Sequence, residues 1–159
     1  GGGVSEAAVC GSVEEVSKIA DRVLAPLLGS RSLVAAAEGG SALFVEAARS
    51  AEARGALVWA RVTNAKSARG RLDLREFAAP EEGAIVLSER AVDPSVVLAD
   101  GPWADVSRRR AAAWAGDHLG MGGVALAAAA ALVRTGQAPQ VLVIGSAPGR
   151  TYAFLLEAP

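Results

Sequence analysis

Gly116-Asp117-His118-Leu119-Gly120-Met121-Gly122-Gly123, followed by Val124-Ala125-Leu126-Ala127-Ala128-Ala129-Ala130-Ala131-Leu132-Val133-Arg134, is the stretch that decides the fold. A glycine-rich turn opens it. An alanine-rich helix follows from Val124 to Arg134, apolar nearly all round, and Gly136 caps it. A helix with no polar face must be buried between layers, because one covered side leaves the other in water. A single chain of 159 residues has little material for two covering layers, so the pattern points to a missing layer.

Outward from this helix, strands alternate with helices. On its C-terminal side Val141 to Ile144 reads as a strand, Ala147-Pro148-Gly149 as a turn, and Thr151 to Leu156 as a returning strand. On its N-terminal side residues 104 to 114 read as a helix. Val96 to Leu98 reads as a buried strand after the Asp93-Pro94 turn, with Asp100 just past its carboxyl end. Ala84 to Leu87 suits a short strand or a helix start, and Asn64 to Glu82 is a polar excursion. Ala56 to Thr63 alternates like a strand, Glu46 to Arg54 is a short helix stopped by Gly55, and Ala42 to Val45 is a strand. Val4 to Cys10 reads as a buried strand. Ser12 and Glu15 then form a capping box for a helix carrying Val13, Val16, Ile19, Ala20, Val23, Leu24 and Leu27, ended by Pro26 and Gly29. The alternation implies one α/β domain over residues 1–159, with a mainly parallel sheet, helices packed on it and a C-terminal antiparallel hairpin.

Composition narrows the classes. Hydrophobic residues make up 52% and aromatics only 4%, which favours close packing of small side chains. The net charge of -1 gives no global field toward nucleic acid or membrane, and neither is expected as a partner. Arg108-Arg109-Arg110 is the basic cluster, read as a solvated helix start or, more sharply, a phosphate contact. One cysteine permits no internal disulfide and suits a reducing compartment. No signal-peptide pattern opens the sequence, and Val124 to Val133 is about half the roughly 20 residues of a membrane span, so a cytoplasmic location is expected.

Three blocks resemble β-ketoacyl synthases. Glu38-Gly39-Gly40-Ser41-Ala42-Leu43-Phe44-Val45-Glu46, with Ala53-Arg54-Gly55-Ala56 after it, is similar to the family's EGA-type strand, helix and RGA turn. Gly116 to Gly123 and the helix beyond resemble its G-H-x-x-G-A-A-G turn and buried helix. Ser146 to Ala153, with Gly149-Arg150-Thr151-Tyr152-Ala153, is similar to its final G-G-T-N-A hairpin. The resemblance implies the C-terminal half of a thiolase-like fold. It also implies no cofactor, a ketosynthase-like chain or a second copy as partner, and an acyl carrier protein as a further partner.

The departures bear on chemistry. The family's first catalytic His falls on Asp100 within Ala99-Asp100-Gly101, its second on Asp117, and its Lys on Ala112. An ionised aspartate only accepts hydrogen bonds and would repel an enolate that imidazole stabilises. His118 falls one place after the second His and could turn into the pocket or bond to backbone. Asp100 and Asp117 could act as a carboxylate pair or cap the segments that follow. Cys10, at the end of an apolar strand, reads as a buried structural thiol rather than a nucleophile. Gly116, Gly120, Gly149 and Thr151 are the expected substrate-binding positions. Trp103 and Trp114 read as core or interface. The resemblance thus implies a non-catalytic ketosynthase-like subunit or domain of fatty-acid or polyketide-type biosynthesis. The alternatives are a divergent condensing enzyme or acyltransferase whose nucleophilic Cys lies on a partner chain, and an excised domain of a longer synthase with Gly1-Gly2-Gly3 as a linker.

Overall fold

The computed structural model describes residues 7–14, 39–69, 72–89, 98, 101–116, 121–147 and 150–159. In chain order these form β1 (Ala7–Glu14), β2 (Gly39–Glu46), α1 (Ala48–Ala53), β3 (Arg61–Ala68), β4 (Ile85–Ser88), β5 (Ser107–Arg110), α2 (Ala112–Ala115), α3 (Met121–Arg134), β6 (Gln140–Ala147) and β7 (Arg150–Glu157). β1 and β2 pair antiparallel as a two-stranded sheet. The other strands form a five-stranded sheet in the order β3-β7-β6-β4-β5.

The larger sheet is mixed, which corrects the expectation of a mainly parallel one. β4 runs parallel to both β5 and β6, whereas β6–β7 and β3–β7 are antiparallel. The closing hairpin is as expected, with Ala147 opposite Arg150 at its tip. The alternation of Ala56 to Thr63 marks extended chain, but pairing begins only at Arg61 and runs on through the polar residues to Ala68. Pattern alone could not say that this strand returns along the far edge of β7.

Side chains on β4, β6 and β7 alternate between two cores. One face carries Ile85, Leu87, Val141, Val143 and Leu156 against α3. α3 sets Met121, Ala125, Ala129 and Leu132 on that face, one per turn, with alanines that bring its backbone close to the sheet. The opposite face carries Val86, Leu142, Ile144, Ala153 and Leu155. No helix longer than a turn covers it among the described residues. Leu72, Leu74 and Phe77 of the polar excursion fold over it together with Leu98 and Trp103. Trp103 is fully buried, and its indole Nε1–H donates to the Ala78 carbonyl at 2.9 Å, tying the two loops together.

α3 also packs on β2 and β1, so the small sheet lies across it from the large one. Every α3 residue except Arg134 is buried or half-buried. The chain thus covers this helix in part, burying Met121, Ala125, Ala129, Leu132 and Val133 and leaving its other apolar residues half-buried. On the small sheet Val9, Phe44 and Val45 are all exposed. The Arg54 guanidinium lies 5.5 Å from the Phe44 ring centroid, and Arg54 Nε donates to Glu46 Oε1 at 3.0 Å, fastening α1 to the end of β2.

Four further readings are corrected. Residues 104–114 are not one helix but a turn, the edge strand β5 and the single turn α2, because pairing with β4 overrides the helical composition around the arginines. Ser12 does not open a helix, since it lies inside β1 opposite Ser41, and the strand runs on to Glu14. The helix expected beyond it falls outside the described residues. Cys10 sits in a strand as read but is exposed, because β1 has only β2 beside it among the described strands. Leu98 is buried but helical, not extended.

Two outcomes follow. Trp103→Phe removes the hydrogen bond to the Ala78 carbonyl and leaves a gap where the larger ring was buried, lowering stability by about 1–3 kcal/mol, read from the denaturant midpoint; an unchanged midpoint would contradict the tie between the loops. A thiol reagent modifies Cys10 in the folded protein at a rate close to that in denaturant, whereas strong native protection would contradict the exposed strand.

Candidate functional site

In a sheet with parallel strands, ligand sites form beyond the strands' carboxyl ends. Here β4 and β6 end side by side, and α3 begins beside them. Glu89 is the first residue past β4. Its backbone N–H donates to the Ile144 carbonyl at 3.1 Å, and its own carbonyl accepts from Ala112 N–H at 3.1 Å. These bonds hold it between β6 and the start of α2. Only 4% of Glu89 is exposed. The alternation of Ile85, Leu87 and Glu89 aims its side chain at the α3 face, where the Tyr152 hydroxyl donates to Glu89 Oε1. The Tyr152 ring in turn lies 5.7 Å from Phe154, centroid to centroid, in a tilted arrangement.

Two glycines make room for this pair. A Cβ on Gly122, in the first turn of α3, would lie 2.7 Å from Glu89 Oε1 and 2.9 Å from the Tyr152 hydroxyl. A Cβ on Gly145, opposite Tyr152 in the hairpin, would lie 2.5 Å from Tyr152 Cζ. The carboxylate therefore rests against the first turn of a 14-residue helix, where the N–H groups and the helix dipole favour negative charge. Chemically, this is a hydrogen-bond acceptor held by a phenol.

The residues singled out in the sequence fall differently. Asp100, Asp117, His118, Gly120 and Gly149 lie outside the described residues. Gly116 ends α2 with φ +74° and ψ −179°, a backbone essentially reserved for glycine, so the turn it opens has a steric reason for that residue. Thr151 pairs with Ser146 and Ala68 and, by alternation with Ala153 and Leu155, belongs to the sheet face opposite Tyr152 and Glu89. Trp103 is core, whereas Trp114 on α2 is 57% exposed. Glu89 and Tyr152 were missed. The available signal was a Glu ending the apolar run Ala84 to Leu87, in phase with its odd-numbered, buried members.

Among the described residues no group of His, Cys, Asp and Glu could hold a metal ion, and no helix is long and apolar enough to cross a membrane. Two carboxylates, the half-buried Glu46 and the exposed Asp73, are held below their ordinary range. Hydrogen bonding to Arg54 does this for Glu46, and hydrogen bonding to Arg75 does it for Asp73. Both clasps are intact above the ordinary carboxylate range and are lost as pH falls through the lowered values.

No family model and no curated protein matches the sequence. Solved structures do match. A type II PKS acyl-carrier protein in complex with its ketosynthase bound to the hexaketide (AntDE:AntF) superposes over 99% of this chain and 51% of its own, with TM-score 0.74 and 16% identity. The fold is that of a ketosynthase half. The ishigamide ketosynthase/chain length factor matches over 97% of this chain and 54% of its own, with TM-score 0.73 and 13% identity. A beta-ketoacyl synthase from Burkholderia phymatum matches over 97% and 55%, with TM-score 0.75 and 14% identity. The chain thus spans about half the length of the ketosynthase-type structures it resembles. At these identities the likeness establishes fold, and the chemistry of this half has to be argued from its own residues.

Gly145→Ala forces the Tyr152 ring and the Glu89 carboxyl out of place and costs about 1–3 kcal/mol. Tyr152→Phe leaves the buried Glu89 carboxyl without this hydrogen bond and costs about 1–3 kcal/mol. Thermal or urea unfolding of both variants checks this, and wild-type stability in either would show that Glu89 does not depend on this packing.

Proposed function

We propose that this chain is a non-catalytic ketosynthase-like subunit or domain of fatty-acid or polyketide-type biosynthesis, pairing with a catalytic ketosynthase half or subunit. The observation that carries the reading is the match of nearly the whole chain to about half of ketosynthase and chain-length-factor structures. Two features support the non-catalytic part. Ala112, on the family's Lys position, is 2% exposed within the α3-side core and carries no amine. Glu89 brings a carboxylate to the carboxyl end of β4, where an enolate would need donors. The pairing part is supported by the small sheet. Two strands alone are marginal in water, and Val9 and Phe44, cross-strand partners, leave an apolar surface on one face of this sheet. Covering such a patch contributes at about 25 cal/mol per Å², before the costs of association.

The test has two arms. The chain alone should release no carbon dioxide from a malonyl carrier protein. Co-expressed with a ketosynthase-like chain that carries a nucleophilic Cys, it should co-purify as a stoichiometric complex, and Cys10 should lose its reactivity toward thiol reagents there. Carbon dioxide release by the chain alone, abolished by Glu89→Gln or Asp117→Asn, would replace this reading with that of a divergent condensing enzyme. A stable monomer that ignores every ketosynthase-like chain offered would remove the pairing.

A further inference from the structure

We draw no further inference here: the strongest candidate, the apolar strip of Leu57, Trp59 and Val62 exposed where the chain enters the edge strand β3, rests on an unpartnered surface, and nothing in the structure shows what covers it.

Discussion

A helix with no polar face has to be covered on more than one side, and α3 imposes that requirement on the whole chain. Its stripe of Met121, Ala125, Ala129 and Leu132 takes the large sheet, and the small sheet of β1 and β2 takes another side. Alanine makes both contacts possible, because short side chains let two sheets approach one helix closely. The same economy of bulk reaches the first turn. Gly122 has no side chain, and the vacated space receives Glu89 and Tyr152. The packing of the helix and the composition of the candidate site are therefore one constraint seen at two places.

Burying the Glu89 carboxylate is expensive unless bonds and dipoles replace the water it loses. The Tyr152 hydroxyl and the start of α3 offer that replacement, and β4 and β6 fix the backbone that presents it. The arrangement pins the carboxyl ends of the strands to the start of the helix. It also sets the character of the space, since the side chain presented beyond the ends of β4 and β6 is one that accepts from a phenol.

What the sequence disclosed follows from which forces act locally. The period of α3, the closing hairpin of β6 and β7 and the short helix α1 could be read because each is written in neighbouring residues. The partners of β3 and β5 could not. Arg61 to Ala68 meets β7 nearly a hundred positions away, and a polar edge strand has no apolar period to announce it. Ser107 to Arg110 is arginine-rich and looks helical, and only its alignment with Ile85 to Ser88 makes it a strand. Cys10 misled for a related reason: an apolar run predicts burial only if something covers it, and β1 meets only β2 among the described strands. At the site, the motif directed attention to Asp100, Asp117 and His118 in the loops. Glu89, the one carboxylate whose geometry is fixed, belongs to no motif and is visible only through its phase with Ile85 and Leu87.

The two sheets stand in different relations to the helix they share. The large sheet is covered on both faces, by α3 and by the loops that Trp103 ties together, and its core is closed. The small sheet packs on α3 but leaves Val9 and Phe44 open on one face and Cys10 and Val45 on the other, with Arg54 over the Phe44 ring. Among the described residues β1 and β2 pair with each other alone, and α3 packs on both. A partner that covered Val9 and Phe44 would meet a surface already seated on α3, so less of the entropic cost of ordering it would fall on association.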